Sequence, residues 1–563
     1  MSTRPRLAVQ QALSAVLRDA LERAAKAGEI SLDPAALPEP VLERPRMAEH
    51  GDWASNVALT LSKAAKAPPR KIAEAMVAHL DLPDWVAGVE IAGPGFVNIR
   101  LAHAWFEQLI ARIVEQGPAY GTVAPGTGQK VQVEFISANP TGPLHVGNAR
   151  WAAVGDSIAN LLRATGDTVE REYYVNDAGN QLDLLGASVE AAYLAKLGRP
   201  AEPPENGYLG AFIDDIADAL IAERGEAPAD LPPAERRTLI TEWSYQHNLA
   251  GIRRTMERFG VEFDVWFSER TLHESGAIQA AVEALRAREV VADRDGAVFL
   301  ETSRFGDDKD RPLIRSDGRP TYFGADAAYW RDVRARGFDH KIYLLGADHH
   351  GYVGRMKAIV RAGGDDGDTA EFIIGQMVNL YRNGEPVRMS KRSGELITFD
   401  ELVEEVGRDA ARYTMLRAGV DAPMDFDLDA VKRQSSENPV FYVQYAHARI
   451  ASVVREAESR GLTPVPVTDA ALDRLDHPME LALLRMLAAY EELVPVAAEL
   501  RAPHRLTRYA EDLAAAFHRF YGECRVLTDD AELSSARWWL CTATKQVLAN
   551  TLGLIGVSAP DRM

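Results

Sequence analysis

The residues best suited to chemistry fall in two places. His145, Gly147 and Asn148 follow the polar run SANPTGPL, and the loop RMSKRSG, Arg388 to Gly394, comes about 240 residues later. A histidine can donate to phosphate oxygens as charge builds on them, and a glycine lets a flat group such as a purine approach the backbone. The later loop offers three cations, two hydroxyls and a glycine. Lys391, a point charge on a flexible stem, and Ser390 would suit a mobile clamp on polyphosphate, although a lone basic loop is more commonly a solvated surface. Tyr322 and Asp326 stand four apart and so share a helix face. The pair His349-His350 invites a metal, but adjacent side chains diverge and no matching Cys or His cluster lies nearby; hydrogen bonding is the better reading and no metal is expected.

These residues need a scaffold. Val131 to Ile136 alternates as a strand, the turn cluster Ser137 to Pro143 follows, and a helical pattern runs through Trp151, Val154, Ile158 and Leu161 to Gly166. Strand, polar turn and helix start place a ligand at a helix N-terminus, where free N–H groups attract phosphate. Thr168 to Val175 reads as a second strand and Asn176 to Gln181 as a helix cap, which together make the βαβ signature of a parallel sheet. A mostly helical, polar stretch over about 185–295 reads as an insertion. Ala297 to Leu300 is expected to resume the sheet and Asp310 to Ser316 to continue it. Pro320 to Asp326 opens a helix. Lys341 to Gly346 reads as a buried strand whose end, Ala347 to His350, faces the same crevice as His145.

Outside this core, residues 1–115 read as a small α+β domain. Gln10 to Ala27 is helical, Pro34 to Pro45 is a linker, GDWASN (51–56) opens a helix with a packed Trp53, and Val89 to Ile91 and Phe96 to Leu101 are strands. Gly117 to Gly128 is a linker. The core then spans 120–410. From Phe399 the pattern turns all-helical: Glu401 to Arg417 is one helix, and Pro439 to Glu458, Leu481 to Leu500, Arg505 to Tyr521 and Ser534 to Leu552 complete a bundle assigned to 411–563. Arg505, Arg508, Arg519, Arg525 and Arg537 recur there beside Tyr509, Phe520 and Tyr521, a mixture able to hold single-stranded bases or simply to be solvated arginine over core aromatics.

The 563 residues allow three or four domains, and 47% hydrophobic with 26% charged residues is ordinary for a globular protein. No apolar run is long enough for a membrane span and no signal-peptide core is present, so a cytoplasmic location is expected. Two cysteines, Cys524 and Cys541, cannot build a disulfide framework or a four-cysteine zinc site. A formal charge of −19 argues against nonspecific nucleic-acid binding without excluding a local basic surface.

The two motifs together resemble the paired HxGH and KMSKS signatures of class I aminoacyl-tRNA synthetases. SANPTGPLHVGN, GDWASN, AGPGFVNIRL, SSENPVFYVQYAHARI and the terminal GLIGVSAPDRM resemble the bacterial arginyl-tRNA synthetase family in particular, over nearly the whole chain. The resemblance implies a multidomain α/β protein. It would have a Rossmann-like catalytic domain with a helical insertion, an N-terminal domain at the tRNA elbow and a helical anticodon-binding bundle. It implies ATP-dependent formation of arginyl-adenylate, then transfer to the 3′ end of tRNA(Arg), with bound tRNA needed for the first step.

By position, the resemblance assigns catalysis to His145 and Lys391. It assigns ATP binding to His145, Gly147, Asn148, Met389, Ser390 and Lys391. Arginine binding falls to Glu134, Ser137, Asn139, His145, Tyr322, Asp326, Asp348 and His349. A planar guanidinium pairs best with carboxylates, in keeping with that set. ATP with Mg2+, L-arginine and tRNA(Arg) are the expected substrates and partners, with no structural metal, no membrane and a monomeric state. Asn148 replaces the second histidine of HxGH and Arg388 the first lysine of KMSKS, which motivates a noncatalytic paralogue as the alternative. A cysteine-specific class I enzyme is a poorer one, because the zinc-ligand cysteines of that family are missing.

Overall fold

The computed structural model describes residues 8–45, 47–199, 201–387, 397–435, 437–461 and 464–563. Its centre is a five-stranded parallel sheet in the spatial order Ala370–Gly375, His340–Gly346, Lys130–Glu134, Thr168–Val175 and Val265–Ser268. The chain begins this sheet at Lys130–Glu134, builds outward on one side, and then crosses back to place His340–Gly346 on the other. The strand order therefore reverses beside Lys130–Glu134, and a ligand crevice is expected beyond the carboxyl ends of those two strands.

The helix Val146–Ala164 follows the first strand and lies close against the sheet. Small residues allow that approach: Ala152, Ala153 and Ala159 are fully buried, and a Cβ on Gly155 would stand 2.3 Å from the Phe135 ring. Arg150, also fully buried, fastens the helix to a later segment by donating to the carbonyls of Gln376, Gly419 and Ala422 at 2.9, 2.8 and 2.9 Å.

Before the core, a four-stranded antiparallel sheet (Leu42–Glu43, Trp53–Ser55, Phe96–Leu101, Val86–Ala92) packs with Ala8–Lys26 and two shorter helices. After it, Pro439–Ser459, Pro478–Glu499, His504–Glu523 and Ala531–Leu554 form the bundle.

Several expectations are corrected. GDWASN leads into the expected helix, Val57–Ala65, with Asn56 at its N-cap and Trp53 buried, but Trp53–Ser55 is itself a strand paired with Phe96–Leu101. The stretch Pro34 to Pro45 is not only linker, since Leu42–Glu43 joins that sheet. The sheet is resumed at Val265–Ser268, inside the expected insertion, not at Ala297. Ala297–Leu300 instead pairs antiparallel with both Val291–Arg294 and Arg311–Ile314, as the central strand of a separate three-stranded sheet. The turn Asp295-Gly296, with both residues at positive φ, folds that chain back on itself, which parallel pairing cannot use. Glu401 to Arg417 is broken by Gly407 at φ 81° into Phe399–Val406 and Arg408–Met415. Beyond Phe399 the chain is not all-helical, since Met424–Asp427 pairs parallel with Val378–Arg382. In the bundle, Tyr509 and Phe520 are core residues, whereas Tyr521 is 37% exposed.

Candidate active site

The chain leaves the first strand under strain. Ile136 and Ser137 have φ of 69° and 41°, a region unfavourable for a β-branched residue. The surroundings hold that turn in place. Tyr173 donates to the Ala138 carbonyl at 2.8 Å, Asn248 to the Pro140 carbonyl at 3.1 Å, and the Tyr174 backbone N–H to Ser137 Oγ at 3.1 Å. Asn139 donates to the side chain of Gln181, at the start of the next helix. Ser137 Oγ in turn donates to Glu134 Oε1 at 3.1 Å.

His145 is the N-cap of the helix Val146–Ala164. Its Nδ1 accepts from the Gly147 N–H at 3.1 Å, and Asn148 Oδ1 accepts from the His145 N–H at 3.0 Å, completing a capping box. Gly147 is required for this fold-back, because a Cβ there would lie 2.8 Å from the His145 ring. The capping box holds the helix start in one geometry, at the end of a helix that favours anionic ligands. Thr398 forms a β-bridge with His145, and the Phe399 N–H donates to the Leu144 carbonyl at 2.9 Å. The chain just past the basic loop is thus anchored at the first signature. Met389, Ser390 and Lys391 themselves lie outside the described residues.

The crevice beyond the strand ends is acidic and lined with tyrosine. Glu134 ends the first strand, and Tyr322 and Asp326 lie on the first turns of the helix Tyr322–Ala335, which Thr321 caps. The Asp326 carboxyl is pushed up to about 7, first by desolvation and then by repulsion from Glu269 and Glu134; a hydrogen bond from Tyr352 opposes the rise. Although part of the Asp326 residue reaches solvent, its carboxyl is enclosed. Burial also raises the Glu269 carboxyl against hydrogen bonds from His273 and Tyr174. Tyr174 feels all three carboxylates, and burial with those charges raises its hydroxyl far above the ordinary value. Clustered, desolvated carboxyls favour a cationic ligand.

The sequence-derived residues fall out unevenly. Glu134, Ser137, Asn139, Tyr322 and Asp326 gather at the strand ends, with His145 following on the helix start. Tyr322 is 59% exposed at the mouth. His349 lies in the 3-10 turn Ala347–Tyr352 after the strand His340–Gly346 and is exposed there; the side chain of Asp348 lies outside the described ones. Glu269, Tyr174, Tyr343 and Tyr352 line the crevice without having been singled out in the sequence. Glu269 had a signal, since it directly follows a parallel strand, but that four-residue strand was hidden in a polar stretch. Among the described residues no group of three His, Cys, Asp or Glu could hold a metal, and no helix is long and apolar enough to cross a membrane.

A second polar surface lies on the bundle. A cavity of about 870 Å³ is bordered by Tyr445, Arg449, Arg455, Tyr521, Arg525 and Arg562, with the carboxylates of Glu456, Glu523 and Asp561 on the same rim. The Arg449 guanidinium stacks 4.9 Å from the Tyr445 ring and 5.2 Å from the Tyr521 ring. Cationic groups over partly exposed aromatic rings suit an unstacked base and its phosphate despite the negative net charge.

Three family models match: the arginyl tRNA synthetase N terminal domain over residues 9–101, the class I (R) tRNA synthetase catalytic domain over 109–452, and the DALR anticodon binding domain over 443–563. An arginine–tRNA ligase of Heliobacterium modesticaldum is 50% identical over 561 residues, covering 99% of each chain. One from Frankia alni is 52% identical, covering 93% of this chain and 94% of its own. The solved arginyl-tRNA synthetase of Thermus thermophilus has a TM-score of 0.74 at 23% identity, covering 98% of this chain and all of its own, a likeness of fold.

Proposed function

The chain belongs to the arginyl-tRNA synthetase family and is an arginine–tRNA ligase of class I, and from that premise we propose which residues perform each part of the reaction. Arginine sits with its guanidinium toward Glu134 and Asp326, beneath Tyr322, while Ser137, Asn139 and His145 hold its other end near the signature helix; Asp348 and His349 close the pocket from the neighbouring strand. ATP lies across the helix N-terminus at His145, Gly147 and Asn148. Met389, Ser390 and Lys391 cover its phosphates. These groups are donors rather than carboxylates, so they fit phosphate, and Mg2+ comes with the ATP rather than as a resident metal.

In the first step a carboxylate oxygen of arginine attacks the α-phosphorus of ATP. A phosphorus–oxygen bond forms and the bond to pyrophosphate breaks. Charge grows on the phosphate oxygens, where His145 and Lys391 stabilise it; donors aimed at developing charge are worth more than donors to the ground state. In the second step a hydroxyl of the terminal ribose of tRNA(Arg) attacks the carbonyl carbon and AMP leaves. Residues 1–115 meet the tRNA elbow, 120–410 with its insertion hold the catalytic site, and 411–563 hold the anticodon. The enzyme works as a cytoplasmic monomer and needs bound tRNA for adenylation.

The observation that carries the arginine assignment is the enclosed, under-compensated acid Asp326 beside Glu134 and Glu269. Arginine-dependent ATP–pyrophosphate exchange, run with and without tRNA(Arg), tests the reading. Exchange only with tRNA is expected. Exchange without it would remove the tRNA requirement, and exchange in neither condition would overturn the assignment of these residues to adenylation.

A further inference from the structure

Parallel strands covered on both faces are normally apolar, yet one face of the central sheet carries two polar rows. The register sets Glu170, Gln132 and Lys341 in one row and Glu172, Glu134 and Tyr343 in the next. Lys341 is fully buried. Its ammonium donates to Gln132 Oε1 and to the Tyr329 hydroxyl, both at 2.6 Å, and lies 2.8 Å from Glu134 Oε2. The rings of Tyr329 and Tyr343 lie 3.9 and 4.4 Å from it. A buried ammonium costs several kcal/mol unless its surroundings offset the loss of water, and neither chemical step above uses this one.

Its effect is on Glu134. Oε1 of that carboxylate accepts from Ser137 and Oε2 from Lys341, while the single Tyr329 proton lies between Oε2, at 2.9 Å, and Glu172. A donor on each oxygen fixes the carboxylate plane. The other charged groups facing it are acids: Glu172 on the next strand, Asp326 on the covering helix and Glu269 beyond the third strand. Tyr174, Tyr343 and Tyr352 add neutral hydroxyls. Arg336 is occupied by Glu170 and Glu172 at 2.9 and 2.7 Å. Among the described residues, Lys341 is the cation paired with Glu134.

We propose that Lys341 is a positioning residue for arginine recognition, holding the Glu134 carboxylate in one orientation so that the guanidinium meets a preformed acceptor. The role rests on the assignment of Glu134 to the arginine pocket. Without the ammonium, Oε2 loses its charged donor among neighbouring acids and the carboxylate is free to turn away from the guanidinium.

The test is the steady-state KM for arginine, with tRNA(Arg) and saturating ATP, from pH 6.5 to 8.5. Lys341→Met keeps the length of the stem and removes the charge. Its arginine KM is expected at least tenfold above wild type at pH 7. The KM for ATP is expected to stay unchanged at every pH. An unchanged arginine KM, or a parallel rise in the KM for ATP, would overturn the proposal. Glu134→Gln separates it from its premise. Unchanged arginine kinetics in that variant would overturn the pocket assignment itself, whereas impaired kinetics there with an unchanged arginine KM in Lys341→Met would overturn the role of Lys341 alone. If Lys341→Met does not fold, Lys341→Gln is read in the same way, and failure of both to fold would leave a structural role in place of the proposed one.

Discussion

The Tyr322 hydroxyl lies 3.2 Å from the point where a Cβ on Gly179 would stand. Gly179 holds φ at 95° just before the helix Asn180–Lys196, so the loop after the second strand and the first turn of the helix Tyr322–Ala335 meet across the mouth of the crevice. Gly179→Ala would strain the loop and displace the tyrosine together. Its arginine KM is expected to rise roughly tenfold, about 1.4 kcal/mol, with little change in the KM for ATP. Aminoacylation kinetics with each substrate varied in turn would check this, and an equal rise in both values would argue against a pocket-mouth role.

Asp326 gives a pH dependence whose sign follows from its raised carboxyl. Between the ordinary 3.8 and about 7, the native protein holds a proton that the unfolded chain has released. The stability of the ligand-free protein therefore contains a contribution that is lost as pH rises through that window. A guanidinium prefers the ionised carboxylate, so arginine binding displaces this proton below about pH 7 and tightens toward pH 8. The rise in Tm caused by arginine should be larger at pH 8 than at pH 6. Asp326→Asn should remove both the trend and most of the rise. A wild-type shift that is the same at both values would count against Asp326 as the guanidinium partner.

Much of this architecture was legible where a single segment carried its own pattern. Lys130–Glu134 alternates over a polar turn, and the bundle helices keep their period for twenty or so residues, so their types were readable. Val265–Ser268 is only four residues long and lies within helical sequence, so its place in the sheet, and with it Glu269, depended on pairing that only the fold supplies. The strand containing Lys341 was readable as buried, but the burial of its ammonium depends on Gln132, whose side chain arrives from 209 residues away. Trp53 was readable as packed; its strand partner Ile99 was not. The gathering of Tyr322 and Asp326 needed only a helix face.

Lys391 is expected to act on charge in the transition state rather than on tRNA affinity. Lys391→Ala should lower the rate of arginine-dependent pyrophosphate exchange by about two to three orders of magnitude, roughly 3–4 kcal/mol. Filter binding of tRNA(Arg) should change by no more than about twofold. The distinction matters because a lysine that only attracted nucleic acid would weaken binding and leave the exchange rate at saturating tRNA intact. Losses of equal size in the two measurements would transfer Lys391 from the phosphate clamp to the tRNA surface.

Arg412 ties the catalytic core to the bundle. It is fully buried, and its guanidinium donates to the Ile555 carbonyl at 3.1 Å and to the Phe259 and Gly260 carbonyls at 3.1 and 3.2 Å. It also donates to Asp156, on the helix that begins with the first signature. One side chain thus joins that helix, the end of the long insertion helix Pro233–Phe259 and the end of the last bundle helix Ala531–Leu554. Gly556 makes room, since a Cβ there would lie 2.2 Å from Arg412 Nη2. Arg412→Met would leave three carbonyls without this donor and Asp156 with Arg171, at 3.0 Å, as its remaining cation. A buried acceptor left without its donor costs about 1–3 kcal/mol, so a loss of about 3–5 kcal/mol is expected in urea unfolding. A loss below about 1 kcal/mol would show that apolar packing, not this clasp, joins the core to the bundle.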